Sequence, residues 1–376
     1  MIDKIEARKH FPYLQSGKIY FNHASIGPIP DPVKKTIDDY LEVRNSGGIE
    51  DYQKMIDTTN RARVRIGKML NAPAKQIAFT DSVSNGMSIL ANGIQWETGD
   101  RILLNDLEFP SNVYPFLNLK KRGVEIDFVK NKYGKIYFED IGAAITDKTK
   151  LISISLVQFL TGQKTPVKEI GELCREKNIL FSVDAIQAAG NVNIDVKKSN
   201  IDFLVGGAHK WLMALQGVSY FYLSESLLNS IDQKFVGWTS VKNAWSLLNY
   251  NLDLKEDASR FMNGTLNAIG ITALESSLKF FESFGYDKIE KSILKNTRYF
   301  LEELGRLSIK TVLNSEDSLS GIVSCKPEDA ENVFQSLKKE NIECALREGF
   351  IRFSPHFYNT EEEIDKAILA LCNRTR

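Results

Sequence analysis

The chain has 376 residues, with 48 Lys plus Arg balanced by 48 Asp plus Glu, and 43% of its residues are hydrophobic. That length suits a large domain with a smaller one beside it, and a balanced charge with no basic stripe interleaved with aromatics excludes a nucleic-acid surface at the level of composition. The longest apolar stretches, around Leu151 to Leu160, are too short to span a bilayer and contain Ser and Gln.

The first residues, Met1-Ile2-Asp3-Lys4-Ile5-Glu6, lack the apolar core of a signal peptide. Four cysteines, Cys174, Cys325, Cys344 and Cys372, show neither metal-ligand spacing nor a paired framework, so reduced thiols packed in a cytoplasmic protein are expected and no metal is. Ile19 to Pro28 reads as a short strand running into a turn of small residues. His23 in that turn is given a hydrogen-bonding role and no catalytic one. Asp31 to Arg44 and Tyr52 to Leu70 carry helical periodicity, the first opening with an Asp cap and Pro32 at the first helical position. The strand Gln76 to Phe79 then leads through Thr80-Asp81-Ser82-Val83-Ser84-Asn85-Gly86 into a helical run from Met87 to Ile94. A strand, a hydroxyl-rich turn and a helix N-terminus offer free amides and hydroxyls, which a phosphate monoester requires. The same Ser-x-Ser-Asn is also a plain N-cap.

Arg101 to Asn105 reads as the next strand, ending toward Phe109, whose place beside Pro110 suits packing as well as stacking on a ring. Val124 to Val129 and Leu151 to Val157 are further strands with a helix from Asp140 to Thr146 between them, the alternation of a doubly wound sheet. Gln158 follows, then the turn Thr161-Gly162-Gln163 and the helix Val167 to Glu176.

Leu180 to Tyr222 organises the rest. An apolar run closed by Asp184 reads as a buried parallel strand, and Ile201 to Val205 repeats the pattern before delivering His209-Lys210. Ligands of open α/β sheets sit beyond the carboxyl ends of the strands, so the acid and the lysine face one crevice. Pyridoxal phosphate needs that pairing, a lysine to hold it as a Schiff base and a carboxylate to keep its ring nitrogen protonated. In Val183-Asp184-Ala185-Ile186-Gln187-Ala188 and Gly207-Ala208-His209-Lys210-Trp211 the chain resembles the class V aminotransferase and cysteine desulfurase group of fold-type I pyridoxal-phosphate enzymes, over nearly its whole length.

The resemblance implies an α/β fold, a mostly parallel sheet of the seven-stranded type flanked by helices, with a smaller α+β domain. It divides the chain into an N-terminal segment 1–18, a cofactor-binding domain 19–257 and a C-terminal domain 258–376. Ala24 and Ser25 are implied at the substrate, with backbone amides facing a carboxylate. Val83, Ser84 and Asn85 occupy the phosphate cup, with Ser84 as hydroxyl donor. Phe109 takes the place that stacks on the cofactor ring, where desulfurases carry a histidine. Gln158 is the amide nearest the phenolic oxygen, although relatives place Asn one position later, where this chain has Phe159. Gln187 is implied at the phenolic oxygen or imine nitrogen and His209 at the phosphate, and Gly207 stands where relatives carry serine. Lys210, Asp184 and Phe109 form the implied catalytic set, Lys210 as the proton shuttle and Phe109 by stacking.

Val218 to Leu223 returns as a strand, and a less regular passage up to Leu254 leads to the domain boundary. Arg260 to Asn267 resembles a family segment whose Gly-Thr pair, here Gly264 and Thr265, reaches the phosphate of a neighbouring subunit; a homodimer is implied. As a pair alone, Gly-Thr is also a common helix cap. The remainder alternates helices (Ile271 to Phe284, Ile289 to Gly305, Pro327 to Lys339, Thr360 to Cys372) with strands at Lys310 to Leu313, Gly321 to Cys325, Ile342 to Leu346 and Phe350 to Phe353. Glu348 to Thr360 resembles the closing motif in which an arginine, here Arg352, binds the substrate carboxylate. A guanidinium fork suits that task, and an internal ion pair is the other reading.

Desulfurases carry a nucleophilic cysteine shortly before this arginine, whereas Arg347-Glu348-Gly349-Phe350-Ile351 contains none. Cys344 sits within an apparent strand, where thiols are usually inert. The expectation is a pyridoxal-phosphate enzyme acting on an α-amino acid through an imine with the cofactor, by aminotransferase or C–S lyase chemistry, with α-proton removal by Lys210 as the common step. Sulfur mobilisation of the desulfurase or selenocysteine lyase type is the alternative. A non-catalytic scaffold is the alternative of another class, against which Lys210, Asp184 and Arg352 all speak.

Overall fold

The computed structural model describes residues 2–49, 52–312 and 316–372. Among the described residues twelve strands occur in chain order: β1 Ile19–Tyr20, β2 Ile77–Thr80, β3 Arg101–Asn105, β4 Glu125–Val129, β5 Thr149–Ser155, β6 Leu180–Asp184, β7 Phe203–Gly207, β8 Ser219–Leu223, β9 Val323–Cys325, β10 Ile342–Glu343, β11 Ala345–Arg347 and β12 Phe350–Phe353. Seven of them form the central sheet in the order β2-β8-β7-β6-β5-β3-β4. Only β8 runs against its neighbours. The strands between the edges are buried almost throughout, because a sheet covered by helices on both faces buries both sets of alternating side chains. Ser155, Asp184 and Val205 lie side by side in register, which lines up the carboxyl ends of β5, β6 and β7 along one edge.

A smaller antiparallel sheet, β11-β12-β9, packs with helices Tyr286–Arg306, Ala330–Lys339 and Glu361–Cys372 around a core that includes Phe300, Ile351, Phe353 and Ile364. The N-terminal strand joins this part of the molecule, since β1 pairs in parallel with β10. Phe21 continues the link, accepting a hydrogen bond from Ser354 N–H at 2.7 Å.

Several expected boundaries move, each for a local reason. The helix expected from Met87 begins at Val83, because Ser82 accepts the Asn85 N–H and so caps a polar first turn that has no apolar signal. Asp31 is not a cap. It lies inside helix Asp31–Ser46, whose N-cap is Pro30 with no side-chain bond, while the Asp31 N–H donates to His10 O. The strand expected from Ile342 to Leu346 breaks at Cys344, since its halves pair with β1 and β12 respectively. Of the strand expected at Lys310 to Leu313 a single bridge, Thr311 with Cys325, is present, and Leu313 lies outside the described residues. Among the described residues no helix is long and apolar enough to cross a membrane.

Candidate active site

Asp184 ends β6 in nearly complete burial at 2% exposure, and its carboxylate takes one hydrogen bond, from the Ile186 N–H at 2.9 Å. Burial pushes its proton affinity up, and the nearby Glu108 adds to the rise. Lys210 follows the neighbouring strand. Its ammonium is disfavoured by burial, against the pull of Asp184, and Arg352 and Arg347 push the same way as burial. An amine depressed in this way is closer to the neutral form that a nucleophile or base must have. Lys210 Nζ stands 5.7 Å from the centre of the Phe109 ring, which meets Phe159 edge-on at 5.3 Å.

Next to Phe109 in the chain stands Glu108, a buried residue that no sequence pattern singled out. Its carboxylate collects five donors: Asn105 Nδ2, Asn112 Nδ2, Ser155 N–H, Ser155 Oγ and Gln158 Nε2. The knot ties the ends of β3 and β5 together, one residue before Phe109. The spacing Asn105…Glu108…Asn112 was the one local signal, and the other donors are some fifty positions away. Gln158 therefore points its amide nitrogen at Glu108, and its buried Oε1 has no partner.

The N-terminal turn closes over this edge. The Gly27 N–H donates to His209 O at 2.8 Å, and a Cβ at Gly27 would stand 2.2 Å from Lys210 O, so only glycine allows so close an approach. The amides expected to face a substrate carboxylate are engaged: Ala24 N–H donates to Ser354 Oγ and Ser25 N–H to Asn22 O. Ser25 contributes its hydroxyl instead, accepting from Arg352 NH2 at 2.8 Å. Gln187 also departs from expectation. Both ends of its amide are spent on the protein, Nε2 on Ala24 O and Oε1 on the Trp211 indole N–H, so it fastens the N-terminal turn to the lysine loop.

Arg352 is 2% exposed, donates to Phe159 O and Ser25 Oγ, and leaves Nε without a partner. Burial and then Arg347 push it down to about 10. Among the described residues no carboxylate pairs with it, which removes the internal ion pair as its explanation. A buried guanidinium without an anion is costly unless an anion arrives.

At helix Val83–Gly93, Val83 is buried while Ser84 and Asn85 are exposed, and Ser84 Oγ lies 2.8 Å from Ser111 Oγ. Asn85 turns back to Asp81, donating to both of its carboxylate oxygens. Burial and then Lys210 lower the His209 proton affinity. The serine that relatives carry at Gly207 has little room here, because a Cβ would stand 3.0 Å from Ile186 Cδ1. Thr265 is exposed and lines, with Asn85, a cavity of about 420 Å³. His23 is fully buried, bonded to Ser354 O and Tyr358 OH.

These groups fit pyridoxal phosphate. An acid raised by burial suits a protonated ring nitrogen, a depressed amine suits an aldehyde, and paired hydroxyls at a helix start suit a phosphate. The orphaned Gln158 Oε1 leaves room for a polar group of the ring.

The model of the aminotransferase class-V family matches residues 19–367. A probable cysteine desulfurase of Pyrococcus abyssi is 29% identical, with 96% of this chain and 94% of that one covered. The apo structure of a cysteine desulfurase from Thermococcus onnurineus NA1 is similar in fold, with a TM-score of 0.90 at 23% identity over 99% of this chain and 98% of that one. So is a complex between a cystine C–S lyase and its reaction product cysteine persulfide, with a TM-score of 0.87 at 24% identity over 96% and 98% of the two chains.

Proposed function

Because the chain belongs to the aminotransferase class-V family and is a pyridoxal-phosphate-dependent enzyme, we propose that it cleaves the C–S bond of a sulfur-bearing α-amino acid without lending a thiol of its own. The observation that carries this reading is the placement of the cysteines. Cys344 is 3% exposed in the core of the smaller sheet, and burial raises its thiol well out of reach of ionisation at neutral pH. Cys325 and Cys174 are buried and pushed up to about 12, and Cys372 lies in the last described turn of helix Glu361–Cys372. The relatives supply the substrate class, being a probable cysteine desulfurase and a cystine C–S lyase.

When bound, pyridoxal phosphate supplies an aldehyde for the amine and a ring that takes up the electron pair left at Cα. The protein's part follows from its own groups. Arg352 and Ser25 hold the substrate carboxylate, Ala24 backs that turn, and Lys210 removes the α-proton. With the cofactor bound, Asp184 would keep its ring nitrogen protonated, Phe109 would stack on it and Gln158 would offer its free Oε1 to it, while Gln187 fastens the N-terminal turn to the lysine loop beside it. Val83, Ser84, Asn85 and His209 would hold the phosphate. Residues 19–257 thus hold the cofactor and 258–376 present the carboxylate site. Gly264 and Thr265 reach the neighbouring site of a homodimer, a reading supported by the exposed Trp245, Leu248 and Tyr250. The free, buried Cys174, Cys325 and Cys344 suit a cytoplasmic setting.

The test is product analysis on cysteine and cystine with the holoenzyme and its Cys344→Ser variant. Pyruvate and ammonia, with sulfide or persulfide in solution, are expected from both proteins, and the variant should lose about 1 kcal/mol of stability. Alanine together with a persulfide on Cys344 would establish the desulfurase reading instead, and a keto acid that retains its sulfur would establish transamination.

A further inference from the structure

The hairpin that carries Arg352 presents a second cation to the same mouth. Side chains alternate along a strand, so residues two apart share a face. Ala345 pairs with Arg352 and Arg347 with Phe350, which puts Arg347, Phe350 and Arg352 on one face, with Arg347 and Arg352 diagonal neighbours. Diagonal positions on such a pair lie roughly 7–8 Å apart. Ile351 and Phe353 take the other face and fill the core. On the third strand Cys325 pairs with Ile351, so Lys326 falls beside Phe350, with its ammonium 5.4 Å from the ring centre.

An outer row of Lys326, Phe350 and Arg347 therefore lies one step beyond the buried Arg352. Arg347 is exposed and donates to its own strand's Leu346 O. Among the described residues no carboxylate pairs with Arg347, Lys326 or Arg352, although the chain as a whole has a formal net charge of +0. Arg347 is near enough to act on the reacting groups, since its charge lowers the proton affinity of both Lys210 and Arg352. A single α-carboxylate leaves this strip mostly unanswered.

Resting on the reading that Arg352 takes the α-carboxylate, we propose that Arg347 receives a second carboxylate at the far end of the substrate's side chain. The preferred substrates are then amino acids with an anionic side-chain terminus, such as an S-substituted cysteine whose substituent ends in a carboxylate. Guanidinium suits this role because it binds carboxylate through two parallel N–H groups. Lys326 adds charge without fixing geometry.

Calorimetric titration of the holoenzyme with glutarate and with butyrate tests this without turnover. Wild type should prefer glutarate, and Arg347→Gln should shrink the glutarate-to-butyrate affinity ratio by about fivefold, the scale of an exposed charge pair. Arg347→Lys should restore part of the ratio. With acidic substrates the Gln variant should show the change in KM rather than kcat. Equal affinities in wild type, or a ratio unchanged by Arg347→Gln, overturns the role of Arg347 alone. Butyrate binding unaffected by Arg352→Gln overturns the carboxylate assignment, and this proposal with it.

Discussion

Glu108 shows how much of the site depends on a side chain that does no chemistry. A carboxylate is an acceptor only, and this one, next in the chain to Phe109, has donors converging on it from Asn105, Asn112, Ser155 and Gln158. Removing it leaves several buried donors unpaired, each costing about 1–3 kcal/mol. Glu108→Ala should therefore lose about 3 kcal/mol or more in urea denaturation and release cofactor more readily on dialysis. A variant of unchanged stability would mean that the knot is not formed in solution. Arg352 was legible in the sequence because a charge between Ile351 and Phe353 in an apolar strand has few explanations. Glu108 was not, because its meaning lies in partners brought by other strands. Gln187 shows the limit from the opposite side: its position was read from the motif, but its amide is consumed by Ala24 and Trp211, contacts that only the folded N-terminal turn creates.

Among the elements, the central strands could be read to within two residues at each end, since apolar runs between polar turns mark buried strands wherever they pair. Phe350–Phe353 and helix Tyr52–Leu70 match the sequence reading at both ends. Strand order could not be read, because β8 inserts between β2 and β7 by pairing that no local pattern encodes. The N-terminal turn was likewise visible as a turn and not as a lid. Its closeness to the lysine loop rests on Gly27, and a methyl there meets backbone, which cannot yield as a side chain tip can. Gly27→Ala should cost about 2 kcal/mol in thermal unfolding. It should also raise KM by lifting Ser25 from Arg352. Normal melting together with normal KM would show that the turn is freely displaced.

For the molecule as a whole, His23 and His356 connect the N-terminal turn to the C-terminal part in a buried cluster with Tyr358 and Trp211. Burial holds His23 down to about 3 and His356 well below its usual value. Both are neutral when folded, while an unfolded chain binds their protons below pH ~6.5. Stability from this source is complete above that pH and is lost as pH falls from it toward the folded values. Each histidine costs about 1.4 kcal/mol per pH unit inside that window. Denaturation midpoints should fall clearly between pH 7 and pH 5, and His23→Gln should flatten the slope; a slope unchanged by that substitution would place the acid sensitivity elsewhere. The pairing of β1 with β10 has a further consequence, for biosynthesis. Residues 19–22 find their partners only at 341–354, so on the ribosome the N-terminal strand must wait, unpaired, while more than three hundred residues are added. The central sheet needs no residue beyond 223 for its own strands. It can be complete before Ser25 has an arginine to hold, which makes closure of the carboxylate site one of the last events in the life of the nascent chain.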